Sequence, residues 1–125
     1  MTIAAYSFVG LAVFITLFQL ALALGAPLGE FTLGGRFPGV LPPKVRLAAL
    51  AQTVILWLFT AMVLSGAGLA FESLLSIARV GILLVVAFFV LGSVANLSSS
   101  SRKERLLMGP LNVAALILTL VVAIG

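Results

Sequence analysis

Residues 80–97 of the chain read VGILLVVAFFVLGSVANL and contain no charged side chain. At 1.5 Å per residue, a helix of this length extends for about 27 Å, which is close to the thickness of the hydrocarbon core of a bilayer. Backbone N–H and C=O groups cannot stay unpaired in hydrocarbon, so an apolar run of this length has to be helical. The stretch therefore predicts a membrane-spanning helix.

Three further apolar runs have the same character and lie at residues 3–24, 47–70 and 106–124. The stretch at residues 80–97, extended toward its N-terminus by one turn, predicts the third helix at 76–97. No run alternates strictly between apolar and polar residues, as a membrane barrel would require. We therefore predict an all-α fold, an integral membrane bundle of four helices in a single domain of residues 1–125, with long loops at 25–46 and 98–105.

The composition excludes several classes of function. Charged residues make up 8% of the chain, against about 25% in soluble proteins. The chain lacks Cys, His and Asp, which removes the usual zinc and iron ligand sets and the Ser-His-Asp and Cys-His catalytic arrangements. We therefore expect no metal, no cofactor and no enzymatic activity. The net charge of +4 is too small to suggest nucleic acid, and anionic membrane lipids are the simpler partner.

The basic residues predict the orientation in the membrane. Six of the seven Lys and Arg residues lie in the two long loops, and the seventh, Arg79, lies on the opposite side. The positive-inside rule therefore places both long loops in the cytoplasm and both termini outside. A cleaved signal peptide is the rival interpretation of the first run, but no Lys or Arg precedes that run. The cations expected at the lipid headgroups are Lys44, Arg46, Arg102, Lys103 and Arg105.

The first loop, residues 25–46, combines helix-breaking Gly and Pro with apolar side chains. Its segment EFTLGGRF, residues 30–37, predicts a short β-hairpin that turns at Gly34-Gly35, with Phe31 or Phe37 packed on the end of the bundle. Long ordered loops are often functional, and a structural plug or an interfacial anchor is an equally weighted alternative.

Two sequence signals mark the starts of helices after the loops. Pro42-Pro43 is placed to begin the second helix, where proline is tolerated in the first turn. In the other long loop, Ser101-x-x-Glu104 fits a capping box and predicts a helical start at Arg102, with a bend at Gly109-Pro110.

Two stretches resemble a pattern in small bacterial membrane proteins. One runs from ALALGAPLGE at residues 21–30, through Gly34-Gly35, to LPPKVR at 41–46; the other is Asn96-x-x-Ser99-x-Ser101-Arg102-x-Glu104-Arg105, with Pro110 following. The chain departs from that pattern at Leu28, where many relatives carry Trp. The resemblance implies an uncharacterised family of four-helix proteins, about 120 residues long, in the bacterial cytoplasmic membrane. It implies no activity and no catalytic residue.

Polar side chains within spanning helices are the best pointers to function. Gln19, Gln52, Asn96 and Asn112 supply one amide per helix at a similar depth near the cytoplasmic ends, and Thr53 adds a hydroxyl. One interpretation is a ligand-binding pocket that opens to the cytoplasm under the first loop. The alternative is interhelical hydrogen bonding, worth about 0.6 kcal/mol per contact. In the first case, the residues expected at the pocket mouth are Glu30 and Arg36.

These features leave three functions open. The first is binding or transport of a small apolar molecule or lipid through the cytoplasm-facing pocket, although the first helix lacks the embedded acid that small multidrug transporters carry. The second is a non-catalytic accessory or assembly subunit, as a homo-oligomer or within a larger membrane complex. The third, a lipid-modifying enzyme using Glu30 or Glu104, is disfavoured because neither acid has a predicted base partner. A cavity would favour the first function and a solid bundle the second.

Overall fold

The computed structural model describes all 125 residues and contains four long helices and no β-strand. The helices are α1 (Thr2–Ala23), α2 (Pro43–Gly66), α3 (Leu75–Leu97) and α4 (Arg102–Ile124). Each helix packs against its neighbour in sequence, and α4 returns to α1 and closes the bundle. All four are long and apolar enough to cross a membrane, so the chain has the all-α, multi-pass architecture that its apolar runs predict.

Successive helices run in opposite directions, which gives the bundle two distinct ends. The terminal end holds both chain termini and the connection at residues 67–74, and Met1 lies against Gly125 there. The loop end holds residues 24–42 and 98–101. The two connections richest in Gly, Pro and Ser are therefore neighbours at the loop end.

The main apolar core lies in the terminal half of the bundle. Its centre is an edge-to-face contact between Phe8 of α1 and Phe89 of α3, with ring centroids 5.8 Å apart. Small and branched side chains from all four helices surround the pair: Ala4, Ala5, Ala12, Leu56, Val63, Ile82, Val85, Ala115 and Val122. A second, smaller core at the loop end consists of Leu22, Leu41 and Ala49, with Phe37 packed against it.

Two helices begin four residues before the apolar runs that predicted them. α2 starts at Pro43 rather than at residue 47, with proline in its first turn, and α4 starts at Arg102 rather than at residue 106. The Ser101 hydroxyl caps α4 by accepting the backbone N–H of Glu104 at 3.4 Å, which is one half of the predicted capping box. The reciprocal bond is absent, because the Ser101 N–H donates to the Ser99 hydroxyl at 3.1 Å. In both helices the first turn is charged and extends beyond the apolar segment. α4 then continues as a single helix through Pro110.

The first loop is ordered against the helices, but the predicted β-hairpin is wrong. Residues 29–31 and 33–35 form two short 3-10 turns, whose backbone hydrogen bonds run to the third residue back instead of across a strand pair. Gly34 and Gly35 have positive φ, as a primed turn requires, but Leu33 does too. Three positive-φ residues in succession coil the chain too tightly for the flanking residues to pair as strands. Phe31 packs edge-to-face on Phe18 of α1, with ring centroids 6.0 Å apart.

Candidate functional site

The amides of Gln19, Gln52, Asn96 and Asn112 line one cavity in the loop half of the bundle. The cavity has a volume of about 620 Å³ and takes wall residues from all four helices and from the first loop. This volume lies within the range of small-molecule sites in proteins, roughly 300–1,000 Å³. The cavity lies on the loop side of the main apolar core.

The amides make few hydrogen bonds with one another. Gln19 Nε2 donates to Gln52 Oε1 at 3.0 Å, which links α1 to α2. Asn112 Nδ2 donates to the Met108 carbonyl on its own helix at 2.9 Å, and the side-chain amide of Asn96 has no hydrogen-bond partner within the protein. One pair therefore joins two helices, while several donors and acceptors of the layer remain accessible from the cavity.

The amide layer is staggered, which corrects the expectation of a common depth. Asn112 Oδ1 lies beside Gly92, only 2.7 Å from the position where a Cβ would stand. Gly92 is one helical turn deeper than Asn96, which lies next to the last residue of α3. The cause is the early start of α4, which places Asn112 ten residues into its helix. The polar lining thus extends along the cavity wall over more than one turn.

Aromatic side chains form the deep part of the cavity. Phe59 of α2 packs on Phe88 of α3 with ring centroids 5.0 Å apart, and Phe88 packs on Phe89 at 5.3 Å, both edge-to-face. All three rings belong to the lining, together with Ile15 and Leu56. The cavity is therefore polar toward the loop end and apolar toward the middle of the bundle.

The cavity opens sideways between α2 and α3. The wall residues with the greatest exposure along the spans lie on these two helices: Gln52, Ile55, Phe88 and Ala95. Wall residues of α1 and α4 are half-buried or buried. The contact between Phe59 and Phe88 bounds this opening on its deep side. The mouth therefore faces the surroundings of the helices, at the level of the apolar spans.

The first loop covers the loop end of the cavity and is fastened to the start of α4. Thr32, Leu33 and Gly34 contribute to the wall. The Ser100 hydroxyl donates to the Gly34 carbonyl at 3.0 Å, and the Ser101 hydroxyl donates to the Glu30 carbonyl. The segment is thus a structured cover whose position depends on the other long loop.

Glu104 is the one ionisable residue in the cavity wall, and it was not among the predicted pocket residues. Its side chain is buried, with the residue 5% exposed, and both carboxylate oxygens accept the backbone N–H of Gly34, at 3.3 and 3.4 Å. The sequence feature that indicates a place in the wall is the spacing of Glu104, Met108 and Asn112, which puts all three residues on one face of α4. The capping-box pattern concerns only the start of α4 and does not predict this position of Glu104 in the wall.

Three other predicted ligand residues lie outside the cavity wall. Thr53 donates its hydroxyl to the Ala49 carbonyl of its own helix at 3.0 Å. Glu30 forms an ion pair with Lys103, with the Lys103 Nζ 2.7 Å from Glu30 Oε2. Arg36 lies over the ring of Phe37, 5.7 Å from its centroid. Glu30 therefore contributes to fastening the cover, and Arg36 to the outer surface of the first loop.

The predicted headgroup cations divide into two groups. Arg46 Nε donates to the Ala23 carbonyl at the end of α1 at 2.8 Å, and Arg105 Nη1 donates to the Ser99 carbonyl at 2.6 Å. With Lys103 paired to Glu30, these cations stabilise the loop end internally. Lys44 and Arg102 are exposed and have no ion pair. No Lys or Arg belongs to the cavity wall.

Comparisons with family models, curated proteins and solved structures give no match to this chain.

Proposed function

We propose that this protein binds a small amphipathic molecule or lipid in the cavity between its helices. The observation that carries the proposal is a single space lined by amides from every helix and by aromatic rings below them. An amphipathic ligand would place its polar group at the amides and its apolar part among Phe59, Phe88 and Phe89. The opening between α2 and α3 supports entry from the membrane, because the exposed wall residues lie within the apolar spans.

The orientation belongs to the same proposal. The excess of Lys and Arg at the loop end favours a cytoplasmic position for this end in a bacterial cytoplasmic membrane, with both termini outside. The ligand would then occupy the inner-leaflet half of the bilayer. The exposed Lys44 and Arg102 would contact anionic headgroups of the same leaflet.

The alternative function is a non-catalytic accessory subunit of a membrane complex. The Gln19–Gln52 hydrogen bond favours a structural role for that one pair. A subunit that only supplies helices and a docking loop needs no internal space, however, and a solid bundle packs better than one with a cavity. The cavity therefore supports ligand binding over the purely structural role.

A cavity-filling variant tests the proposal. Ala95 lines the mouth of the cavity, whereas its neighbour Val94 is 61% exposed and faces away from it. Native mass spectrometry of the protein, purified in a mild uncharged detergent, should detect a retained small molecule in the wild type and in Val94→Phe. Ala95→Phe should lose this adduct, because its ring occupies the mouth. Absence of any adduct from the wild type, or an equal adduct in Ala95→Phe, would contradict the proposal.

A further inference from the structure

The cavity wall contains one acidic residue and no basic residue, although the loop end of the bundle is rich in Lys and Arg. Glu104 is its sole ionisable side chain, and the other eighteen wall residues are uncharged. All seven Lys and Arg residues of the chain lie elsewhere. An anionic ligand group placed in the cavity would therefore find a carboxylate nearby and no cation in the wall.

Such a placement is energetically unfavourable. Moving an ion out of water costs several kcal/mol unless a partner charge or a set of hydrogen bonds compensates it, and a like charge nearby adds to that cost. The positive end of the α4 helix dipole would otherwise attract an anion. Glu104 already occupies the first turn of that helix, and it also takes the N–H of Gly34. The N-terminus of α4, which would attract an anion, is therefore already occupied by the carboxylate of Glu104.

The remaining polar groups are suited to a different kind of ligand. Asn96 offers both an N–H₂ donor and a carbonyl acceptor, and Gln52 Nε2 and Gln19 Oε1 are the free ends of the bonded pair. Asn112 Oδ1 is an additional acceptor beside Gly92. A hydroxyl, an amide or an amine can both donate to and accept from such a set, or donate several times in the case of an ammonium group.

We infer that the polar group of the ligand is uncharged or cationic, so that the cavity takes amphiphiles with a hydroxyl, amide or amine head and rejects phosphates and carboxylates. This inference rests on the proposed ligand-binding function. The carboxylate of Glu104 is the counter-charge for an amine, and the amides hold the uncharged heads. The cations outside the wall contact the anionic headgroups of the bulk membrane, which stay outside the cavity.

The test uses amphiphiles that share one chain and differ in their heads. Dodecylamine, dodecanol and dodecyl phosphate are offered at equal concentration to the full-length protein in an uncharged detergent, and bound species are quantified by native mass spectrometry. We expect the amine and the alcohol to exceed the phosphate by about tenfold or more, because the phosphate leaves water without a cation in the wall to compensate its charge. Ala95→Phe should abolish the binding of all three.

Two outcomes separate this inference from the proposed function. Phosphate binding that equals or exceeds amine binding, and that is lost in Ala95→Phe, would overturn the inference while ligand binding in the cavity stands. Failure of the wild type to bind any of the three in a manner sensitive to Ala95→Phe would overturn both.

A conservative substitution tests the part assigned to Glu104. Glu104→Gln keeps a side-chain oxygen that can accept the N–H of Gly34, but it removes the charge. The advantage of dodecylamine over dodecanol should fall by about tenfold, with dodecanol binding retained. The matched control is Glu72→Gln, which removes an exposed carboxylate at the terminal end of the bundle, away from the cavity and its cover, and should leave the preference unchanged. An unchanged preference in Glu104→Gln, or an equal loss in Glu72→Gln, would refute the counter-charge role.

Discussion

The carboxylate of Glu104 accepts the backbone N–H of Gly34 at 3.3 Å, although the two residues are 70 positions apart in sequence. The bond connects the first turn of α4 to the segment that covers the cavity. Because the acceptor is buried and charged, it contributes more than a hydrogen bond between neutral groups at the surface would. The position of the cover therefore depends on one side chain of the last helix.

Removal of this acceptor should release the cover. We expect Glu104→Ala to destabilise the docked loop by about 1.5–3 kcal/mol, the cost of losing a hydrogen bond to a charged group. Hydrogen exchange measured by mass spectrometry should then be faster over residues 29–37, while the helices exchange as before. Glu104→Gln should restore most of the protection. Glu72→Ala, at an exposed acid of the terminal end, is the control, and protection unaltered in Glu104→Ala would refute the anchoring role.

A second prediction concerns the close packing inside the first loop. A Cβ on Gly29 would lie 1.8 Å from the Phe37 carbonyl oxygen and 2.7 Å from that of Gly39. Since backbone atoms cannot move aside cheaply, Gly29→Ala should cost at least about 2 kcal/mol. Gly10→Ala is the control, because a Cβ there meets nothing within 4 Å and alanine favours the helix by about 0.5–1 kcal/mol. Equal unfolding free energies for the two variants in mixed micelles would contradict this account of the loop.

A third prediction concerns the hydrogen bond between Gln19 and Gln52. A double-mutant cycle with Gln19→Leu and Gln52→Leu should give a coupling energy of about 0.6 kcal/mol, typical of such pairs in membranes. The chain contains a single tryptophan, Trp57, whose Nε1 donates to Thr16 Oγ1 at 2.9 Å between the same two helices. Its fluorescence therefore reports the separation of α1 from α2 during unfolding. Strictly additive single and double variants would show that the two amides do not interact.

The orientation can be tested with single cysteines, because the native chain has none. Ser98 at the loop end and Ser73 at the terminal end are both exposed, whereas Ser99 is buried and would react poorly for that reason alone. In intact cells, an impermeant thiol reagent should label Ser73→Cys and spare Ser98→Cys. The positive-inside assignment fails if the pattern is reversed. Permeabilised cells, in which both cysteines should react, provide the control for access.

The four helices could be predicted from the sequence because a long apolar run has one stable form in a membrane. The details of helix starts needed a different signal. Because the charged first turns lie outside the apolar runs, hydropathy alone does not predict these starts. The capping-box pattern predicts the start at Arg102, and the proline pair predicts the start at Pro43. Most of the fold could therefore be predicted from local sequence patterns.

The cover and the charge of the cavity wall could not be predicted in the same way. The Gly34-Gly35 pair correctly indicated positive φ, but the choice between a hairpin and a docked turn depends on partners such as Ser100 and Ser101, which lie far along the chain. No feature of residues 30–37 indicates that these two serines will be their partners. Likewise, Glu104 has an adequate local explanation as a capping residue, and its place in the wall follows from the loop that folds over it.

The distance in sequence between the cover and its partners has a consequence for the order of assembly. The first loop is synthesised between α1 and α2, but the groups that hold it follow α3 and are 66 to 71 residues further along the chain. During insertion, the nascent protein therefore passes through a stage in which three helices are in place and the loop lacks the hydrogen bonds that fasten it to the start of α4. Because α4 supplies part of the wall, the cavity cannot close before this helix is in place, and a chain truncated after α3 would hold the cover only through its contacts with α1 and α2.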